Sequence, residues 1–184
     1  MQSLTHYIDL APHNGNAFFE LHGRIVTGAH LSAQDGKPVA IDWPGWKNVP
    51  GGFGPVVRLL GEPSAIEHCL SVISPLVEAE LVDVWGEVKT VPDNAAWSHG
   101  YRRHRKPDKC SPTHQRRLER RALARGEVYE QPAYGEWLKA SHRLPMQSRS
   151  TGQHFYIFIK RVSAADLRSA EPRGYGFGAV VPQF

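Results

Sequence analysis

Between Ala17 and Leu31, the apolar residues Phe18, Leu21, Ile25 and Ala29 recur at the three- and four-residue intervals that put them on one face of a helix. The pattern is shorter on either side. His6 to Leu10 is a short β-like run, Pro38 to Trp43 is strand-like, and the Pro- and Gly-rich stretch Pro44 to Pro55 reads as a long loop. Val56 to Leu60 is a second strand of that pair. Pro63 to Ile73 is a helix opened by its proline, with Ser64 also early in it, and Leu81 to Val91 closes the unit as a strand. The order β-α-β-β-α-β is that of a ferredoxin-like (RRM-type) domain, an arrangement that hosts many functions. No RRM aromatic signature sits on an inner strand, so RNA need not bind the sheet face.

The second half is patterned differently. Pro92 to His99 reads as a linker and Tyr101 to Lys109 as a basic, extended segment. Ser111 caps a helix with Pro112 in its first turn, running to about Arg125, where Gly126 supplies a stop. A second short helix is expected over Ala133 to His142. Gln153 to Arg161 alternates as a strand, with Phe155, Ile157 and Ile159 on one face and Tyr156, Phe158 and Lys160 on the other. The chain closes in a glycine-punctuated tail, Gly174-Tyr175-Gly176-Phe177-Gly178. The expected architecture is α+β: a ferredoxin-like βαββαβ domain over 1–95, then a smaller α/β RNA-binding region over 96–184 with an arginine-rich helix.

Charge changes this picture more than composition does. A hydrophobic fraction of 41% and a charged fraction of 22% are ordinary for a globular protein. No run of eighteen apolar residues marks a membrane span, and no basic start followed by an apolar stretch marks a secretory signal. The two cysteines, Cys69 and Cys110, lack CxxC spacing, which fits a reducing, cytoplasmic setting. Met1 to Trp97 carries five basic and eleven acidic residues, whereas Ser98 to Phe184 carries seventeen basic and seven acidic. So lopsided a division suggests a polyanion-binding half on a neutral or acidic scaffold.

The helix Pro112–Arg125 concentrates that charge. Arg116 and Arg120 form one row, Arg117, Arg121 and Arg125 another, and Glu119 is its only acid. Like charges at this spacing destabilise an isolated helix, so an external anion is the expected counterpart, and planar guanidinium groups suit the phosphates lining the groove of A-form RNA. Arg102, Arg103 and Arg105 precede it, suited either to reading base edges or to phosphate grip. Among the ten histidines, the cluster His99, His104, Cys110 and His114 matches no zinc signature well, so neither metal nor cofactor is expected. His22 lies beside the apolar face of the first helix and is followed by Gly23, which leaves room for a ligand; a satisfied histidine at a helix–core boundary is the alternative. Ser148-Arg149-Ser150-Thr151-Gly152 is a hydroxyl-rich loop suited to positioning a ribose or phosphate, or a plain turn. Tyr175 is a stacking or hydrogen-bonding group, or simply a packed aromatic. The glycine tail is not placed between a strand and a helix, which excludes a dinucleotide site.

The segment Ser148-Arg149-Ser150-Thr151-Gly152-Gln153-His154-Phe155, followed by an alternating strand, resembles the signature of the type I-F CRISPR precursor-RNA endoribonuclease family. Glu20-Leu21-His22-Gly23 is similar to the helix segment carrying that family's catalytic histidine. Arg116-Arg117-Leu118-Glu119-Arg120-Arg121 resembles its arginine-rich helix, and Tyr175-Gly176-Phe177 through Val181-Pro182-Gln183-Phe184 its tail.

The resemblance implies binding to the stem-loop of a CRISPR repeat, cutting at the base of the stem and retention of the crRNA within a surveillance complex of other Cas subunits. On that reading Arg116, Arg117, Arg120 and Arg121 lie in the major groove of the stem, and Phe155 stacks on the terminal base pair. Arg103 and Arg105 read the lowest pairs, and Ser150 and Thr151 hold RNA near the cut. His22 takes a proton from a ribose 2′-hydroxyl, Ser148 holds that ribose, and Tyr175 matches a tyrosine beside the histidine in the family. Products would be a 2′,3′-cyclic phosphate and a 5′-hydroxyl, formed without metal. No general acid is evident, so turnover should be modest. A non-cleaving RNA-binding subunit of a ribonucleoprotein is the main alternative; a basic DNA-binding regulator lacks a helix-turn-helix pattern here. Two departures stand out: Gln183 replaces an aromatic seen in relatives, and Arg105 stands where the family commonly has glutamine. Glutamine suits adenine and arginine suits guanine. A binding series of repeat variants should therefore favour guanine at the level Arg105 reads; adenine winning there would remove that assignment.

Overall fold

The computed structural model describes residues 4–13, 15–105, 112–130, 142–148, 150–167 and 171–184. The first half forms strand β1 (His6–Pro12), helix α1 (Phe18–Gln34), strands β2 (Ala40–Asp42) and β3 (Val57–Gly61), helix α2 (Pro63–Glu78) and strand β4 (Val82–Thr90). The element order is the one read from the hydrophobic pattern. The four strands make one antiparallel sheet in the order β2-β3-β1-β4. Helix α2 begins at its proline, as expected, but continues past Ile73 through Pro75 to Glu78.

The second half adds strand β5 (Ala96–Arg103), helix α3 (Pro112–Ala124), and strands β6 (His142–Gln147), β7 (His154–Ser163) and β8 (Val180–Gln183). These strands form a second antiparallel sheet in the order β6-β7-β5-β8. Two expectations need correction. Pro92 to His99 is not a linker throughout, because β5 starts at Ala96 and pairs on both sides. Its polar residues hid a central strand: His99, Gly100 and Tyr101 are buried, and His99 is satisfied by partners from other strands. His142 ends no helix but opens β6; the rest of the helix expected over Ala133 to His142 lies outside the described residues. The glycine tail, finally, leads into β8. Pro145 in β6 and Pro182 in β8 weaken a strand pattern, yet both strands are sheet edges, where a missing N–H is tolerated.

Helix α1 lies between the two sheets. Its buried residues, from Leu21 to Ser32, wrap more than half its circumference, beyond the single stripe seen in the sequence. A Cβ at Gly23 would sit 2.1 Å from the carbonyl oxygen of Pro145 on β6, and one at Gly28 would sit 2.3 Å from the Ile73 side chain on α2. Both glycines are therefore conditions of close packing, and a side chain at Gly23 would run into the strand backbone at Pro145.

The buried apolar residues form one cluster drawn from both sheets, including Leu10, Ile25, Leu59, Tyr101, Leu144 and Ile157. A polar bridge crosses the same boundary. The Tyr101 hydroxyl donates to Asp42 Oδ1 at 3.0 Å, His99 Nε2 lies 3.3 Å from the same oxygen, and Arg161 reaches His99 Nδ1 at 3.0 Å. Burial, with Asp42 alongside, pushes the Tyr101 phenol pKa well above its ordinary value. The chain end is fastened to the first sheet: Arg58 pairs with Asp9 through two hydrogen bonds, and its guanidinium lies against both the Tyr7 ring and the Phe184 ring, which meet edge to face.

Gly23→Ala tests the contact between α1 and β6. Backbone cannot yield as a side chain would, so the variant should lose about 1–3 kcal/mol of stability, read as a lowered denaturation midpoint. An unchanged midpoint would mean that the helix does not approach β6 this closely.

Candidate active site

The second half of α1 presents Thr27, His30, Leu31 and Gln34 on one face, at the helical intervals that bring them together. Opposite them run the Ser148–Gly152 turn joining β6 to β7, and the short 3-10 turn Gly174–Gly176 ahead of β8. These three pieces enclose a pocket of about 230 Å³ lined by His30, Gln34, Ser148, Ser150, Phe155 and Tyr175, among others.

His30 and Tyr175 are stacked, with ring centroids 4.2 Å apart and planes 16° from parallel. The tyrosine reaches this position through a left-handed backbone, φ 71°, which a bulky residue rarely adopts and which costs about 1–3 kcal/mol. Its neighbours explain how it is held. A Cβ at Gly174 would come within 3.1 Å of His30 Nδ1, and one at Gly176 within 2.8 Å of Ile41. The turn is thus pressed against α1 on one side and β2 on the other. His30 Nδ1 is buried with no hydrogen-bond partner among the described residues, while Nε2 lies 3.4 Å from the Gln34 side-chain amide. Nε2 is accordingly the nitrogen available to a ligand.

Ser148 is fixed by its own turn. Its N–H donates to the Gln153 carbonyl at 2.9 Å, its carbonyl accepts from Gly152 N–H at 2.8 Å, and its Oγ accepts from Thr151 N–H at 3.3 Å. Ser150 Oγ lies 3.2 Å from Ser148 Oγ, so two hydroxyls face the pocket as a pair. Thr151 is exposed on the turn, outside the pocket lining; Arg149 lies outside the described residues. Phe155 is half-buried, packed on the core and edging the pocket.

Tyr175 is also one wall of a second cavity, about 410 Å³, lined by Arg102, Arg103, Arg105 and Arg173. The three arginines singled out before the helix therefore converge, and Arg173 joins them; nothing in its local sequence set it apart. Asp166 is a carboxylate in that lining. On α3, Arg116, Arg117, Arg120 and Arg121 are exposed while Gln115 and Ala122 are buried, so the guanidinium rows occupy one free face as the spacing requires. Arg125, just past the helix, pairs with Glu127 at 2.6 Å. Among the described residues no group of three or more His, Cys, Asp or Glu is arranged to hold a metal ion, and no helix is long and apolar enough to cross a membrane.

His22 is elsewhere. It is fully buried, eight residues before His30 and so about 12 Å back along the helix axis. Trp43 Nε1 donates to its Nδ1 at 3.0 Å, and Phe18 and Phe53 pack on its ring. Nε2 is buried with no hydrogen-bond partner among the described residues. A base must reach within about 3 Å of the proton it takes, and this ring is closed off from any substrate. The pocket brings together Ser148, Ser150, Phe155 and Tyr175 from the sequence-based set, with His30 in the place expected of His22. Its sequence signal was present but weak: His30 belongs to the polar face Thr27–His30–Gln34, beside the buried stripe.

Residues 8–184 match the family described as CRISPR-associated protein (Cas_Csy4). The chain belongs to that family. Its type member is the type I-F CRISPR pre-crRNA-processing endoribonuclease, so the family carries with it the binding and processing of CRISPR repeat RNA. No curated protein matches the chain.

The burial of His22 has a consequence for stability. Desolvation lowers its pKa from the ordinary 6.5 to about 4. With the folded value below the unfolded one, the contribution of the neutral ring is complete above about pH 6.5 and is lost as pH falls towards 4, up to about 3 kcal/mol. Urea denaturation across that range should show the decline. His22→Asn, which keeps an acceptor for Trp43 Nε1 but does not titrate, should flatten it. Identical slopes in both proteins would refute the account.

Proposed function

We propose that this protein cleaves CRISPR repeat RNA at the base of its stem-loop without a metal ion, using His30 as general base. The observation that carries this reading is His30 stacked on Tyr175 across a pocket from the paired hydroxyls of Ser148 and Ser150, in a chain of this family. The resemblance calls for a tyrosine beside the histidine, and His30, not His22, satisfies it.

RNA brings its own nucleophile, so the site has only to deprotonate a 2′-hydroxyl and align it. His30 Nε2 takes the 2′-proton. The 2′-oxygen then attacks phosphorus, the P–O5′ bond breaks, and the leaving 5′-oxygen takes a proton from solvent, giving a 2′,3′-cyclic phosphate and a 5′-hydroxyl. With Nε2 as the base, neutral His30 carries its own proton on the buried Nδ1, and the Gln34 amide yields Nε2 to the 2′-hydroxyl. Ser148 holds the ribose, Ser150 and Thr151 grip the adjoining backbone, and Tyr175 keeps the imidazole from swinging. Phe155 stacks on the terminal base pair. Arg102, Arg103 and Arg105 hold the foot of the stem, with Arg105 towards guanine, and Arg116, Arg117, Arg120 and Arg121 follow its major groove.

The strand order β2-β3-β1-β4 supports a ferredoxin-like unit over 1–95. The charge split supports 96–184 as the RNA-gripping region. Its acidic first half makes a protein-facing surface for other Cas subunits of a type I-F complex, acting in the cytoplasm.

The test is cleavage of a labelled repeat hairpin in excess chelator. Wild type should cut the ribose substrate and leave its 2′-deoxy counterpart intact. His30→Ala should cut at least about 100-fold more slowly while binding the hairpin within a few-fold of wild type, and His22→Asn should cut normally. Full activity in His30→Ala would sink the base assignment. Tight binding with no cutting by wild type would favour the RNA-binding-subunit reading.

A further inference from the structure

A third cavity, about 520 Å³, lies between α1, α2 and β6, and none of the roles above uses it. It shares Thr27, Leu31, Met146 and Gln147 with the His30 pocket, so the two are continuous. The arginine-lined cavity touches the His30 pocket through Tyr175 and shares no lining residue with this groove. The three therefore run in a row: arginines, His30 pocket, groove. A strand held by the arginines and bent across His30 has one way onward.

We propose that this groove binds the single-stranded nucleotide immediately 3′ of the scissile phosphate, the one that departs with the 5′-hydroxyl. The inference rests on the cleavage reading above and extends it. Leu31, Ile73, Leu76 and Met146 give an apolar floor for a base face, and methionine adapts its shape to what it meets. Arg24 is exposed at the rim, where it meets the phosphate that follows. Glu20, Gln147 and His154 offer hydrogen-bonding groups to base edges without a fixed two-pronged pattern. Among the described residues no Phe, Tyr or Trp lines the groove, so the grip is modest and tolerant of sequence, as suits a product that must leave.

The probes are uncleavable 2′-deoxy repeat hairpins ending at the cleavage position or extended by one or three nucleotides, with affinity read by fluorescence anisotropy. The first added nucleotide should tighten binding to wild type about tenfold, the scale of covering one base face, and the next two should add little. Val72→Trp, which fills the groove from α2, and Arg24→Ala, which removes the rim cation, should each shrink that increment. Both should bind the shortest hairpin as wild type does, which also certifies their fold. No gain from the added nucleotide, or a gain that survives both substitutions, overturns the proposal. Failure of wild type to bind even the shortest hairpin is a different result: it removes the RNA-processing reading itself, and this one with it.

Discussion

The site depends on how closely one helix can lie against two sheets. Helix α1 meets β6 over Gly23 and α2 over Gly28, with no space for a methyl group at either point. That approach fixes the depth at which the helix sits and the way it is turned about its axis. Thr27, His30 and Gln34 are left facing the turn after β6, while His22, less than a quarter-turn from His30 in projection, is driven into the core among Phe18, Trp43 and Phe53. Two histidines on one helix thus acquire opposite characters. Desolvation holds His22 neutral, and its one hydrogen bond closes it against Trp43. His30 keeps one nitrogen towards a cavity.

Strain at Tyr175 is set against this rigid background. A tyrosine at φ 71° persists only where its surroundings over-determine it. Here Gly174 and Gly176 let the turn come against His30 and Ile41, and the tyrosine ring lies flat on the imidazole. The gain is orientation: a ring stacked at 4.2 Å cannot tip without losing that contact. The same ring lines both the His30 pocket and the arginine-lined cavity, so the two meet at a single side chain.

What could be read in the sequence follows from what each element owes to its neighbours. The arginine rows on α3 were legible because their exposure needs nothing beyond helical spacing. The β-α-β-β-α-β order was legible because its strands and helices are apolar and bounded by proline and glycine. Strand β5 was hidden, since Ser98, His99 and Gly100 look like loop residues until Asp42 and Arg161 are brought to His99 from other strands. Edge strands β6 and β8 were hidden by prolines that only an edge position tolerates. The choice between His22 and His30 was beyond local pattern altogether. Both follow small or apolar neighbours on the same helix, and which one sees solvent is decided by β6 and the Gly174–Gly176 turn, more than a hundred residues away.

This division of labour also explains where the charge lies. Guanidinium groups crowded on one face repel one another, and the exposed rows on α3 have only Glu119 on their own helix to offset them. Each is screened in water and contributes little to holding the fold. They can therefore be arranged for phosphate alone. The His30 pocket is lined differently: its walls carry hydroxyls, the amides of Gln34 and Gln147, apolar side chains and aromatic rings, with no arginine among the described residues. The described arginines of the neighbouring cavity stand beyond Tyr175, so the guanidinium groups suited to phosphate are set apart from the His30 pocket by one ring.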